Sequence, residues 1–184
     1  AKHFADSGWN VICFEPDHVN RSALTRRYAD YENVVIDPRA VSDRDQLEVD
    51  FYQSAQSTGI SGLIPFHKTH EKSHLVDVTR VANIVEEYQI DNIRFLKIDT
   101  EGSDFSVLKG VPWEHMTPDF ILCEFTLPPE DSKALDFDHD WSDICSYLSD
   151  KGYSIYVSEW HPIIKYGGNH NWHSLKEYPC ELTN

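Results

Sequence analysis

Residues 93–110 have the sequence IRFLKIDTEGSDFSVLKG, and this stretch decides the fold of the chain. The apolar run 93–98 is long enough for a buried strand and too short for a helix. The run ends in an acidic turn that contains Asp99 and Glu101, after which Ser103 suits the N-cap of a helix. The stretch therefore predicts a strand, a turn and a helix, which together form half of a βαβ unit.

The two carboxylates in this turn are the first candidate functional residues. In open α/β sheets, ligands bind beyond the carboxyl ends of the strands, and Asp99 and Glu101 are predicted to lie there. Carboxylates in such a place are unfavourable unless they meet a ligand, a cation or a proton. The alternative is that the turn only begins a helix and leaves Glu101 in solvent.

A strand upstream has the same organisation. The segment WNVICFEPD predicts a strand over residues 11–15 that ends at Glu15, and Asp17 suits the N-cap of the following helix. In nucleoside- and dinucleotide-binding folds, an acidic residue at this position holds the ribose hydroxyl groups. Glu15 is therefore a candidate cofactor-binding residue.

The rest of the chain alternates between predicted strands and helices. Further strands are predicted at 33–37, 119–125 and 153–158, with an edge strand in the aromatic C-terminal tail. Loops are predicted at 38–46 and 53–75. This alternation predicts an α/β fold with a mostly parallel sheet and helices on both faces. No internal repeat or linker divides the chain, so we predict a single domain over residues 1–184.

Composition excludes several classes of partner. The net charge of −15 argues against nucleic acid or an anionic membrane as the main partner. No apolar stretch of the sequence approaches the length of a membrane span. The four cysteines are far apart and form no CxxC pair, which is typical of a reducing compartment. We therefore predict a cytoplasmic protein, and the sequence does not indicate its oligomeric state.

A series of motifs resembles the FkbM family in order and spacing. These are FEPD (14–17) with Asn20 and Leu24, AVSD (40–43), FLKIDTEG (95–102), VLKG (107–110), PDFILCEF (118–125) and EWHP (159–162). FkbM proteins are S-adenosylmethionine-dependent O-methyltransferases with a Rossmann-like class I methyltransferase fold. The family's first strand and glycine-rich loop would lie upstream of Ala1, so the resemblance implies an N-terminally incomplete domain.

The resemblance also implies roles for individual residues. Glu15 would hold the ribose of S-adenosylmethionine, in agreement with the argument from the strand end. Asp99 and Glu101 would lie beneath the sulfonium and the incoming hydroxyl group. The adenine side would be lined by Ala40, Val41 and Ser42.

Methyl transfer to oxygen is an in-line displacement, so alignment is the main requirement. A carboxylate or a histidine near the acceptor can take the hydroxyl proton. Our candidates for this base are Asp99, Glu101 and His161, although His161 is almost as well explained as a histidine packed beside Trp160.

Two other motifs are better explained by chance. HEKSH (70–74) matches the zinc-protease signature, but that signature needs a helix and this region is polar and loop-like. DFDHD (136–140) begins like a calcium-binding loop but lacks its glycine and its final glutamate, so a solvated helix N-terminus is the better interpretation. We expect no metal.

The leading hypothesis is an O-methyltransferase that acts on a hydroxyl group of a small molecule or glycan. Its enzymatic rival is a nicotinamide-dependent oxidoreductase, because an acidic residue after the second strand suits both. The third hypothesis is a non-catalytic Rossmann-like binding domain.

Overall fold

The computed structural model describes residues 1–54, 57–66, 68–125, 139–161 and 171–183. The chain divides into two compact units, residues 1–135 and 136–184. Each unit is described by itself, and the single domain stays a prediction. No helix in the described ranges has the length and apolar character that a membrane span requires.

The first unit contains four helices and seven strands among its described residues. The helices are α1 (Lys2–Asp6), α2 (His18–Arg27), α3 (Val81–Glu87) and α4 (Asp104–Lys109), and a 3-10 turn covers Thr58–Ile60. The strands are β1 (Val11–Phe14), β2 (Val34–Asp37), β3 (Ala40–Ser42), β4 (Gln46–Ser54), β5 (His70–Arg80), β6 (Phe95–Ile98) and β7 (Phe120–Cys123). The strands predicted at 11–15, 33–37, 93–98 and 119–125 are therefore confirmed, each shorter by one to three residues.

The strands of the first unit form three small sheets in the described residues. β1 pairs with β2 and β6 pairs with β7, both in parallel. The third sheet has the order β3-β5-β4, in which β3 is parallel and β4 antiparallel to β5. The α/β alternation is confirmed and two of the three sheets are parallel, but the strand pairings of the described residues do not join them, so one mostly parallel sheet stays a prediction. In β6 only Ile98 is buried, whereas Phe95 and Leu96 are half-buried and Lys97 is exposed, so the strand is not buried throughout.

Two predicted loops contain strands. Residues 40–42 of the predicted loop 38–46 form β3, which is too short to show a period in the sequence. The predicted loop 53–75 contains the end of β4 and the first half of β5. That half of β5 is mostly exposed, so its polar sequence lacks the usual apolar alternation. Its pairing with β4 specifies the strand, with Phe51 opposite His74 and Ser54 opposite His70.

The core of the third sheet brings β3 close to α4. Ala40, Phe51, Val76 and Val78 form a buried apolar cluster in this sheet. Where α4 ends, a Cβ added at Gly110 would lie 2.3 Å from the carbonyl oxygen of Ser42. Only glycine permits this approach, which places the C-terminal end of α4 next to the end of β3.

We therefore expect Gly110→Ala to lower the free energy of unfolding by about 1–3 kcal/mol, because the added methyl group forces two backbones apart. Chemical denaturation measures this loss. The matched control is Gly59→Ala, whose methyl group would meet only the hydroxyl end of the Ser57 side chain, at 3.3 Å. Equal stability of the two variants would contradict the close packing.

The second unit contains α5 (Trp141–Asp150), β8 (Tyr156–Trp160) and β9 (Trp172–Glu177). β8 and β9 are antiparallel, and β9 confirms the predicted strand in the C-terminal tail. The strand predicted at 153–158 is confirmed by β8, which begins at residue 156 instead of 153. Asp140 caps α5 by accepting hydrogen bonds from the backbone of Ser142 and Asp143. This confirms that DFDHD ends at a helix N-terminus; its residues 136–138, and Pro162 of EWHP, lie outside the described residues.

Candidate active site

A cleft of about 240 Å³ lies in the first unit, where the carboxyl ends of β1 and β6 face β3 and the loop 57–63. It is lined by Phe14, Glu15, Pro16, Asn20, Arg39, Ala40, Val41, Phe51, Gly59, Ser61, Gly62, Leu63, Asp99, Thr100, Glu101 and Ser103. The cleft thus brings together five of the predicted site residues, which come from three separate parts of the sequence. Ser42 is buried beside the cleft, and its hydroxyl group contacts the Asp43 carboxylate at 3.2 Å.

Glu15 lies directly after β1, at one end of the cleft. Its Oε1 accepts a hydrogen bond from the backbone N–H of Asp17 at 2.9 Å, which orients the carboxylate. Burial raises the pKa of Glu15, and the hydrogen bond from Asp17 partly opposes that rise. A half-buried, oriented carboxylate is suited to accept hydrogen bonds from ligand hydroxyl groups.

The turn between β6 and α4 is held from inside by Asp104. This side chain is buried, and its two oxygens accept hydrogen bonds from the backbone N–H groups of Thr100 (3.1 Å) and Gly102 (3.2 Å). Ser103 begins α4 as predicted, but its side chain makes no capping hydrogen bond. Between the two held residues, Glu101 adopts a left-handed backbone with φ of 55°. A left-handed backbone is strained at a residue other than glycine. It persists only where the surrounding structure imposes it, and such residues are concentrated at functional sites.

Asp99 is surrounded by charged and titratable groups. Burial alone would raise the pKa of Asp99, but a hydrogen bond with Glu124 and an ion pair with Lys97 lower it below its usual value. The pKa of Glu124 is instead raised to about 8, by burial and by the neighbouring Asp99 carboxylate. Because a hydrogen bond between two carboxyl groups needs a proton, Glu124 carries it at neutral pH and donates to Asp99.

Glu101 is the second titratable group of the cleft. Burial raises the pKa of Glu101 to about 7, and the charges of Asp99 and Asp104 add to the rise. A carboxylate with a pKa near neutrality can accept a proton and release it again under physiological conditions. The turn thus holds two carboxylates with opposite pKa shifts, which is a pattern of acid–base sites.

Three carboxyl groups, two in this turn and one after β7, lie close together. One oxygen from each of Asp99, Glu101 and Glu124 lies within 4.8 Å of the others. The Lys97 ammonium and the shared proton already compensate part of their charge. The expectation that no metal binds stays a prediction.

Glu124 and Asp104 are the residues that sequence reasoning missed. Glu124 follows β7, and β7 is the parallel neighbour of β6. Because parallel neighbours end at the same edge of a sheet, an acidic residue after each of two apolar strands was a usable signal. No local pattern distinguishes Asp104 from an ordinary acidic residue in the first turn of a helix.

Two motifs of the sequence contain histidines, EWHP with His161 and HEKSH with His70 and His74. His161 follows β8 in the second unit, where its backbone N–H donates to Asn171 and its ring packs 4.8 Å from that of His173. Its role as a base therefore stays a prediction. HEKSH lies in β5, where Nε2 of His70 donates a hydrogen bond to the carbonyl oxygen of Ile60 and Nε2 of His74 donates one to the carbonyl oxygen of Pro16. A strand cannot give these histidines the helical spacing of a zinc protease.

Comparison with known families gives one result. The sequence profile of the methyltransferase FkbM domain matches residues 1–155, which is most of the chain. Searches of curated proteins and of solved structures found no significant match.

Proposed function

Because the chain belongs to the FkbM methyltransferase family, we propose that it is an S-adenosylmethionine-dependent O-methyltransferase. The proposed acceptor is a hydroxyl group of a small molecule or glycan. Family membership supports methyltransferase activity in general and a class I methyltransferase-like fold. We further propose that the parallel pairs β1-β2 and β6-β7 belong to one mostly parallel sheet with helices on both faces.

One observation carries the proposed cofactor. Carboxylates from the ends of two different strands, Glu15 after β1 and the Asp99–Glu101 turn after β6, line the same cleft. The one arginine that lines the cleft, Arg39, is already bound to Asp37 at 2.6 Å and to Glu87 at 2.8 Å. The residues that line the cleft therefore have a net negative charge, which suits a cationic sulfonium.

The chain's own residues have distinct tasks in this proposal. Glu15 accepts hydrogen bonds from the ribose hydroxyl groups, and the apolar side chains of Ala40 and Val41 face the adenine. S-adenosylmethionine supplies an electrophilic methyl group when it is bound. As the acceptor oxygen bonds to the methyl carbon and the carbon–sulfur bond breaks, leaving a neutral thioether, the oxygen would gain positive charge, which the carboxylates of Asp99 and Glu101 would stabilise. Glu101 then takes the hydroxyl proton at its carboxylate.

The same charge separates the proposal from its enzymatic rival. A nicotinamide dinucleotide carries an anionic pyrophosphate, and the carboxylates of the cleft repel it. Isothermal titration of the full-length protein against S-adenosylmethionine and NAD tests this directly. We expect binding of the first and none of the second. Binding of NAD instead would overturn the proposal in favour of an oxidoreductase, and binding of neither would favour a non-catalytic domain.

We expect Glu15→Ala to weaken the binding of S-adenosylmethionine about tenfold or more, because a charged hydrogen-bond acceptor contributes roughly 1.5–3 kcal/mol. Titration calorimetry measures the affinity, and circular dichroism confirms that the variant is folded. Glu86→Ala, at an exposed glutamate of α3, is the matched control and should bind like the wild type. Unchanged affinity in Glu15→Ala would refute the assignment of the ribose site.

A further inference from the structure

Among the described residues of the first unit, Asp17 is the most deeply buried carboxylate that the proposed mechanism does not use. It lies in the turn between β1 and α2 and has no exposed surface. Its Oδ1 accepts hydrogen bonds from the backbone N–H groups of Val19 (2.8 Å) and Asn20 (3.1 Å), which caps α2. A cap of this kind needs only one oxygen.

The second oxygen of Asp17 makes contacts that the cap does not require. Its Oδ2 accepts hydrogen bonds from Nε2 of Gln53 at 2.6 Å and from the hydroxyl group of Ser61 at 3.2 Å. Gln53 lies on β4, and Ser61 lies in the loop that follows it. Burial alone would raise the pKa of Asp17, but the hydrogen bonds from Gln53 and from the other donors lower it, so the side chain is charged.

The loop 57–63 forms one wall of the cleft, which it lines with Gly59, Ser61, Gly62 and Leu63. Gly62 lies directly over the acidic turn, since a Cβ added there would be 3.5 Å from the carbonyl oxygens of Thr100 and Glu101. Backbone hydrogen bonds between Tyr52 and Gly62, at 2.9 and 3.0 Å, attach the loop to its own hairpin, β4 and β5. These bonds do not connect the hairpin to the turn that carries Glu15.

The connection to that turn passes through Asp17. Its backbone N–H holds the Glu15 carboxylate, and its Oδ2 holds both the strand and the loop of the hairpin. A contact between His74 and the Pro16 carbonyl oxygen, at 3.1 Å, is a second link between the hairpin and the turn. Residue 17 is therefore hydrogen-bonded both to the candidate ribose-binding group and to the wall that the loop forms.

We propose that Asp17 is a positioning residue that holds the loop 57–63 against the cleft and keeps this wall in register with Glu15. This inference rests on the proposed function, because the wall matters only if a ligand fills the cleft. Loss of the tether should leave the cleft with one mobile wall, and S-adenosylmethionine would then have to order the loop when it binds.

The two tasks of Asp17 can be separated by substitution. In Asp17→Ser the shorter hydroxyl side chain still caps α2, since serine is as good an N-cap as aspartate, but it lacks the second oxygen. Asp17→Ala removes both the cap and the tether. Ser61→Ala cuts the tether from the loop side without leaving a charge unpaired at residue 17, and Ser61→Thr retains the hydroxyl group.

Hydrogen–deuterium exchange of the full-length protein without ligand tests the tether independently of methyl transfer. In Asp17→Ser and Ser61→Ala we expect faster exchange in 57–63 with unchanged protection of α2, and wild-type exchange in Ser61→Thr. Affinity for S-adenosylmethionine, measured by calorimetry, should fall about tenfold in Asp17→Ser and less in Ser61→Ala. The inference is overturned if the loop exchanges at the wild-type rate in both Asp17→Ser and Ser61→Ala. It is also overturned if α2 loses as much protection in Asp17→Ser as in Asp17→Ala, because the cap and the tether would then not be separable. Failure of the wild type to bind S-adenosylmethionine would instead overturn the proposed function.

Discussion

We expect Glu101→Gln to lower the rate of methyl transfer about a hundredfold or more, because the amide cannot accept the hydroxyl proton that the carboxylate takes. The substitution keeps the size of the side chain and the left-handed backbone of residue 101. Binding of S-adenosylmethionine should therefore change little. The measurement is turnover of the full-length protein with radiolabelled S-adenosylmethionine and a panel of hydroxyl acceptors.

The pH profile makes this prediction specific. The pKa of Glu101 is about 7, and only the deprotonated form, which dominates above that pH, can take a proton. In the wild type, kcat/KM should therefore rise as the pH increases through about 7 and then level off. The rise should disappear in Glu101→Gln. Glu114→Gln, at an exposed glutamate after α4, is the matched control.

Asp99→Asn is the second substitution for which we expect a large loss, of about a hundredfold in turnover. Asp99 is the anionic group that Lys97 and Glu124 hold in place, and the neutral amide cannot stabilise the positive charge that develops on the acceptor oxygen. The same exchange removes a like charge next to Glu101. Because repulsion from Asp99 helps to raise the pKa of Glu101, that pKa should fall.

The residual activity of Asp99→Asn should therefore begin to rise at a lower pH than that of the wild type. Asp91→Asn, at an exposed aspartate before β6, serves as the control and should keep both the rate and the profile. A lower rate with an unshifted profile would show that the two carboxylates do not interact. If Glu101→Gln and Asp99→Asn both keep wild-type turnover, the pair is structural and the base must be sought at His161.

Local sequence was sufficient for the elements that end in the candidate site. The apolar runs before Glu15 and Asp99 predicted β1 and β6, and the residues after them predicted the starts of α2 and α4. Burial of a short apolar run and capping of a helix involve neighbours in the chain, so they leave a pattern in the sequence. The tertiary structure also brings Glu15, Ala40, Val41, Asp99 and Glu101 to one cleft, and their roles there stay predictions.

The tertiary structure alone decided the remaining features. β5 begins within a polar segment because β4 pairs with it. The periodicity of the sequence also does not show which strand pairs with which, so the sheet to which each strand belongs was not predictable. Glu124 donates a hydrogen bond to Asp99, and Asp17 accepts hydrogen bonds from Gln53 and Ser61, across separations of 25, 36 and 44 residues. Such contacts depend on how distant segments pack. The pKa values of the carboxyl groups depend on the same through-space distances and on burial, so the sequence predicted which residues carry charge, and the fold decided which of them carries the proton.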